Sequence, residues 1–353
     1  MAFWVFIMLS KKEISTIHDE LMNCKNPLFF FDDDPDGFSS FLLFYRFVQE
    51  GKGFIVKTRP SITESFAQKV EDYGADKVFI LDVSSVDQEF LDKVKVPVIW
   101  IDHHEPQERE KVKYFNPRKS VDKNVPTAML CWQVVSEDRP QDLWIALAGC
   151  IGDWFMPEFA SSFKQAAPEI LPHTGDVADI LFNSQMGLLI KVFSFNLKGP
   201  SSDVLKSVKT FTRVDSPYEI LNQSTPRGKF LWKRYQSANK IYEALLNKAL
   251  EQKPKKGIVL FMYDDDKLSL TKDIANELLY RAGCVVIVAR DRMGSMRCSL
   301  RSPEKYDLAS AVANALKGID GYGGGHKNAC GACVNKDDFE QFLDNLRKEL
   351  KLS

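Results

Sequence analysis

The sequence has almost no net charge: 47 lysines and arginines stand against 48 aspartates and glutamates, leaving a formal −1 at pH 7. A strongly basic excess would signal an extended grip on long nucleic acid through counterion release. Its absence leaves room for nucleic acid but favours a short or locally held substrate. Nor is there a long apolar run of membrane-spanning length. The apolar segment Met1–Leu9 lacks a preceding basic residue and a following small-residue cleavage site, so a strand or buried N-terminal arm is expected there. Cysteine is sparse, odd in number and scattered (Cys24, Cys131, Cys150, Cys284, Cys298, Cys330, Cys333). That excludes a disulfide framework and implies reduced thiols, hence a cytoplasmic protein without membrane attachment. Internal repeats and low-complexity tracts are also missing.

What is present fits a globular protein of more than one domain. The chain has 353 residues, 44% of them apolar and 27% charged. Four short apolar runs, Leu28–Phe31, Phe54–Val56, Val78–Leu81 and Val98–Ile101, have the continuous character of strands covered on both faces. Helix-like stretches such as Ser39–Gln49 and Ile62–Tyr73 separate them, and Pro126–Ile151 also reads as helix. The expected fold is therefore α/β: an N-terminal doubly wound, mostly parallel sheet over residues 1–195, a helical connection over 196–256, and a smaller C-terminal α/β domain over 257–353. In the connection, Ala178–Phe193 and Phe230–Gln252 are helical, broken by Gly199-Pro200 and Ser216-Pro217. The C-terminal domain has strand-like runs at Ile258–Met262, Val285–Ala289 and Met296–Leu300, then a glycine-rich turn at Gly321–Gly325.

Three of the four early runs end in aspartate: Asp32, Asp82 and Asp102. Ligands of open α/β sheets sit beyond the carboxyl ends of the strands, so these carboxylates converge on one pocket. The densest signal is Asp32-Asp33-Asp34-Pro35-Asp36-Gly37, immediately after the first run. So many carboxylates cannot share a dry pocket without cations, because mutual repulsion would raise their pKa values until some protonated. Taken alone, this loop is as well read as a solvated acidic turn. The added Asp82, Asp102-His103-His104 and Gly152-Asp153 decide for a metal site. Imidazole among the oxygens moves the preference from Mg²⁺ toward Mn²⁺, Co²⁺ or Zn²⁺.

The order Asp-x-Asp-x-Asp-Gly, strand-ending Asp, Asp-His-His and Gly-Asp resembles the DHH phosphoesterase superfamily, which includes RecJ-type exonucleases, nanoRNases and cyclic-dinucleotide phosphodiesterases. Cys298–Ser302, followed by Gly323-Gly324-Gly325-His326-Lys327-Asn328, is similar to the DHH-associated substrate-binding domain. The resemblance implies that Asp32, Asp34 and Asp82 hold one metal, and that Asp36, Asp82, His103 and Asp153 hold a second, with Asp82 between them. It implies that Asp102 orients His103 and that His104 donates to phosphate. It implies two Mn²⁺, with Mg²⁺ or Co²⁺ possible, activating water for attack on phosphorus. Ser39, Ser40 and Cys150 are then not nucleophiles. Asp32 stands where many small-substrate members have His, which is the RecJ-like pattern; Asp33 has no ligand role.

In the C-terminal domain, backbone N–H groups at Gly324 and Gly325, with His326, Arg301 and Ser302, are expected to hold a substrate phosphate. Cys330 and Cys333 are expected to be structural. His18 and His173 are taken as ordinary histidines, Asp264–Asp266 as a turn and Lys253–Lys256 as a solvated linker. The leading functional expectation is a Mn²⁺-dependent, RecJ-like exonuclease acting on single-stranded or short nucleic acid. The alternatives are a nanoRNase or phosphoadenosine-phosphate phosphatase, a cyclic-dinucleotide phosphodiesterase and, without catalysis, a replication-complex subunit.

Overall fold

The computed structural model describes residues 8–57, 61–119, 124–172, 175–264 and 268–352. The expectations for most of Met1–Leu9, for His173 and for Asp265 and Asp266 lie outside the described residues. The chain forms two compact units, Met1–Tyr235 and Gln236–Ser353.

The first unit is built on a parallel sheet of β1 (Pro27–Asp32), β2 (Lys52–Val56), β4 (Lys77–Leu81), β6 (Val98–Ile101) and β7 (Lys113–Phe115), in the order β2-β1-β4-β6-β7. A two-residue parallel pair, β3 (Ser61–Ile62) and β5 (Ser85–Val86), lies apart from it. From β1 the chain moves outward to β2, then returns to the other side of β1 for β4. The strand order therefore reverses between β1 and β4, which is where open α/β sheets open a crevice at their carboxyl ends.

Phe29, Phe30 and Phe31 show why this segment is a central strand. Side chains alternate across a strand. Phe31 stacks on Phe41 at 4.5 Å and Phe29 on Phe79 at 5.3 Å, whereas Phe30 meets Phe66 at 5.4 Å and Phe90 at 6.2 Å. All three are fully buried, so both faces of the sheet are covered.

The helices of this unit are α1 (Lys11–Met22), α2 (Pro35–Val48), α3 (Ala67–Tyr73), α4 (Gln88–Lys93), α5 (Thr127–Val135), α6 (Leu143–Gly152), α7 (Ala160–Ala166), α8 (Val177–Asn183), α9 (Gln185–Asn196), α10 (Ser201–Phe211) and α11 (Pro217–Leu221). The long α12 (Pro226–Leu250) runs from the first unit into the second. The second unit holds a sheet in the order β11-β12-β10-β9-β8: β8 (Ile258–Asp264), β9 (Val285–Arg292), β10 (Ser295–Arg301), β11 (Gly321–His326) and β12 (Ala329–Asn335). Only β8 and β9 pair in parallel. With α13 (Thr271–Ala282), α14 (Leu308–Ala315) and α15 (Phe339–Glu349) it encloses its own core. Among the described residues no single helix is long and apolar enough to cross a membrane.

Several expected elements divide or change type. Pro126–Ile151 is two helices, because Pro140 interrupts the backbone bonding between α5 and α6. Ala178–Phe193 bends by 72° between α8 and α9, where the Ser184 hydroxyl caps α9 by accepting from the Gly187 N–H at 3.1 Å. Helix α3 begins only at Ala67, after β3 and a single 3₁₀ turn. Gly321–Gly325 is not a turn but part of the edge strand β11, where a Cβ on Gly323 would stand 2.8 Å from the Gly331 carbonyl oxygen. Glycine there allows close strand pairing. Cys330 and Cys333, three apart on β12, point to opposite faces of the sheet and cannot share a metal.

One buried ion pair ties the far end of α2 to the start of α6. Arg46 and Asp142 are 4% and 0% exposed, with Nη2 and Oδ1 2.8 Å apart. Arg46 Nη1 also donates to the carbonyls of Thr212 and Val214, at 3.3 and 2.6 Å. Arg139 Nε donates to the other Asp142 oxygen at 3.0 Å. Asp142→Ala would strand a buried guanidinium and is expected to cost about 3–5 kcal/mol in chemical denaturation. A loss below about 1 kcal/mol, the range of an exposed pair, would show that the pair is not a structural tie.

Candidate metal centre

The site is assembled at the reversal between β1 and β4. After Phe31 the chain leaves the sheet through Asp32 and Asp33, and Asp34 caps α2. Its Oδ1 accepts the N–H groups of Asp36 and Gly37, both at 3.0 Å, and Pro35 occupies the first helical turn. Gly37 closes this turn: a Cβ there would lie 2.8 Å from the backbone nitrogen of Asp32. The helix therefore starts hard against the strand end, with Asp36 buried in its first turn. Asp33 is exposed and stands outside the ligand groupings.

Asp36 is held from below by α5. Its two carboxylate oxygens accept the backbone N–H groups of Thr127 and Ala128, at 2.8 and 2.7 Å. These are donors at the start of that helix, which favours a negative charge. Thr127 Oγ1 also donates to Asp82 Oδ1 at 3.2 Å. Asp82 directly follows β4 and adopts φ +59°, a left-handed conformation uncommon for a non-glycine residue. Gly149 lets α6 approach, since a Cβ there would meet Ala128 and Ser39 at 2.5 and 2.7 Å. Asp153 then follows the end of α6.

His103 is buried among these carboxylates. Its Nε2 lies 3.2 Å from Asp82 Oδ1 and 3.9 Å from Asp36 Oδ2, and its Nδ1 lies 3.9 Å from Asp153 Oδ2. Nδ1 lies 2.7 Å from the side-chain oxygen Oδ1 of Asn124, and a proton held there leaves Nε2 facing Asp82 and Asp36 as the nitrogen able to meet a cation. Asp102 has a different partner from the one expected. Its carboxylate accepts the Nδ1–H and the backbone N–H of His104, at 2.7 and 3.0 Å, so it orients His104 rather than His103. Asn116 and Tyr114 reach the same carboxylate, each at 3.4 Å. With Nδ1 committed to Asp102, any contact of His104 with phosphate falls to Nε2.

The ligand atoms form three overlapping groupings, each within 4.8 Å: Asp32, Asp34 and Asp82; Asp36, His103 and Asp153; and Asp82, His103 and His104. Every N-terminal residue proposed from the sequence as a ligand is in one of them, and Asp82 and His103 each belong to two. Sequence reasoning missed Asn124 and Thr127. Only the helix start after Pro126 could have pointed to Thr127, and nothing marks Asn124.

The electrostatics fit cations. Burial, then the charges of Asp82, Asp153 and Asp34, push the Asp36 carboxyl well above the ordinary range, against the pull of His103. Burial, then Asp34, Asp32, Asp102 and Asp153, do the same to Asp82. Burial opposes charge on His103, yet Asp153, Asp36 and Asp102 outweigh it and raise its pKa. Without metal the cluster relieves its repulsion by holding protons, and hard divalent ions fit this donor set of carboxylate oxygen and imidazole. Cys131 and Cys150, buried beneath, are held as thiols by the same environment and are poor nucleophiles.

In the second unit, Gly324, Gly325 and His326 are exposed on the edge strand β11. Arg301 and Ser302 are buried at the end of β10. Arg301 and His326 both register against Ala329 of the strand between them. Arg301 Nε donates to Asn276 Oδ1 at 2.6 Å, and Nη1 to the carbonyls of Leu300 and Cys330 at 2.8 and 3.3 Å. The phosphate contact expected of it therefore falls to Nη2. Burial lowers its pKa to about 10. Ser302 accepts from Asn328 Nδ2 at 3.2 Å, which fastens the β10 end to the loop after β11.

A parallel sheet with carboxylate and imidazole side chains gathered at its switch point defines an α/β protein whose buried acidic and histidine cluster could hold metal ions. Residues 28–151 match the DHH family, N-terminal domain, and residues 229–352 match the DHHA1 domain. The chain is a DHH-family protein carrying both domains, and the family is one of phosphoesterases, which supports a hydrolase role. No curated protein matches the chain. Among solved structures it is similar to RecJ in complex with Mn²⁺ from Thermus thermophilus, at 16% identity and TM-score 0.69, covering 96% of this chain and 54% of that one. It thus spans about half the length of that RecJ. It is also similar to an exonuclease RecJ bound to manganese (16%, TM-score 0.62, 98% and 96% covered). A third likeness is to the DHH domain of a member of the s1p family of ribosomal proteins (15%, TM-score 0.67, 97% and 90% covered). At these identities the likeness is one of fold.

The raised pKa values give a signed pH dependence. Asp36, Asp82 and His103 each have a folded pKa above the unfolded one, so their contribution to stability is complete below the unfolded values and is lost as pH rises through the folded ones. Metal-free protein should therefore lose stability as pH rises from the ordinary carboxylate range through the raised values of these groups, and Mn²⁺ should restore it by replacing protons. Thermal unfolding with chelator and with Mn²⁺ is expected to show the larger Mn²⁺-induced rise in Tm at the higher pH. An equal rise at both would contradict the placement of these groups.

Proposed function

We propose that this protein is a Mn²⁺-dependent phosphodiesterase that hydrolyses single-stranded or short nucleic acid, with the action of a RecJ-like exonuclease. The observation that carries this reading is the overlap of three ligand groupings, through Asp82 and His103, at the switch point of the sheet. A pair of bound divalent ions would supply an activated water and neutralise charge on the phosphoryl oxygens. The chain's own residues do the rest. Asp32, Asp34 and Asp82 hold one ion; Asp36, Asp82, His103 and Asp153 hold the other. Asn124 and the α5 start, through Thr127, fix the directions of His103, Asp36 and Asp82. Asp102 holds His104 with Nε2 as its hydrogen-bond group toward a phosphate. Gly324, Gly325, His326 and the remaining Arg301 nitrogen are the proposed substrate contacts of the DHHA1 domain, with Ser302 securing that loop. Mg²⁺ or Co²⁺ fits the same donors.

The near-zero net charge favours a short substrate over a long duplex and keeps the nanoRNase-like reading beside the exonuclease one. A purely structural role in a replication complex is disfavoured, because the acidic and imidazole ligand set is complete and gathered. Seven free thiols support a cytoplasmic location.

End-labelled RNA and DNA ladders, incubated with Mn²⁺ or chelator, test the proposal. Hydrolysis should require the metal and vanish in Asp82→Ala/His103→Ala. Asn124→Ala or Thr127→Val, which remove outer partners of the ligands, should lower activity or Mn²⁺ affinity by about 10–100-fold. Undiminished cleavage by the double variant would refute the site.

A further inference from the structure

Helix α6 ends in a way that its sequence does not favour. The Trp154 N–H donates to the Ile151 carbonyl at 3.0 Å and the Phe155 N–H to the Cys150 carbonyl at 2.9 Å. These two bonds are those of a Schellman motif, with Asp153 as the C-cap and the next residue in the left-handed region. That next position usually belongs to glycine, because an L side chain is disfavoured there. Here it is filled by Trp154 at φ +61°, the only aromatic residue with positive φ among the described residues.

Nor does burial explain the tryptophan. Trp154 is 41% exposed, a level that only Tyr218 approaches among the described aromatic residues of this unit. Its one described ring contact is an edge-type approach to Phe182 of α8, at 6.1 Å and 62°. A disfavoured backbone conformation and a large exposed ring are therefore kept together at one position. That position directly follows Asp153, whose carboxylate is in the ligand cluster, and the two Cα atoms are about 3.8 Å apart. Strain retained beside reactive groups marks function more often than packing.

We infer that Trp154 is a stacking platform for the nucleobase of the nucleotide whose phosphate the metal centre holds. The inference rests on the proposed phosphodiesterase reading and narrows it. The α6 terminus serves two ends: the helix fixes Asp153 at its cap, and the left-handed residue directly after it carries an exposed indole. An aromatic face binds any base without hydrogen-bond readout, so the platform suits single strands of mixed sequence. It gives no grip on a phosphodiester that lacks a base, nor on bases still paired in a duplex.

The test compares Trp154→Gly and Trp154→Phe with the wild type on a single-stranded tetranucleotide and on the same strand with abasic sugars at every position. KM and kcat are measured with Mn²⁺. Binding of the labelled tetranucleotide is measured separately by fluorescence anisotropy in an Asp82→Asn background, where hydrolysis does not interfere. Glycine should weaken binding and raise KM for the intact strand by about ten-fold, the size of one lost base–aromatic stack, with kcat changed far less. Wild-type preference for the intact over the abasic strand should fall by the same factor, and phenylalanine should restore most of it. Equal losses on intact and abasic strands, or no change in KM and binding, would overturn the inference while leaving the hydrolytic reading intact. Trp154-dependent binding without any Mn²⁺-dependent hydrolysis would instead overturn the hydrolytic reading and leave the platform standing.

Discussion

Electrostatic repulsion among carboxylates is the constraint around which the first unit is organised. Asp36 and Asp82 are almost fully buried, and Asp32, Asp34, Asp102 and Asp153 surround them. No fold gathers such charges for stability's sake. The neighbouring elements supply partial compensation at fixed points. The start of α5 gives two backbone donors to Asp36, the Thr127 hydroxyl bonds Asp82, and the first turn of α2 occupies one oxygen of Asp34. These donors aim the carboxylates without neutralising them. The residual charge is what a pair of divalent ions would take up.

The strand order gives that cluster its place. Because the chain passes from β2 back across β1 to β4, the carboxyl ends of β1 and β4 stand at the reversal of strand order, the place where open α/β sheets hold their ligands. Close approach of the surrounding helices depends on Gly37 and Gly149, where any side chain would collide with the backbone of Asp32 or with Ala128 and Ser39. Packing and chemistry are thus set by the same few positions.

Much of this was legible in the amino-acid order. Unbroken apolar runs located β1, β2, β4 and β6, because a strand covered on both faces has no polar side to show. Aspartates at their ends located the acidic cluster, because carboxylates crowd together only where cations or protons relieve their repulsion. Other features were not legible. The three-residue β7 is too short to carry a pattern, and the polar stretches at Pro140 (Ser136–Asp142) and Ser184 (Asn183–Gln185) do not by themselves fix where one helix stops and the next begins. Residues 321–325 look like a turn because glycine permits one, yet pairing with β12 makes them a strand. The partnership of Asp102 with His104 depends on how two adjacent side chains diverge after a strand, which residue order does not specify. Asn124 and Trp154 act through tertiary placement alone.

The central claim is that Asp82 joins two cation sites into one centre. Electron paramagnetic resonance of the protein titrated with Mn²⁺ addresses it directly. Two equivalents per chain should give the multiline signal of a spin-coupled pair, and Asp82→Asn should abolish the coupling. Uncoupled six-line signals at saturation, or a single ion bound per chain, would contradict the account.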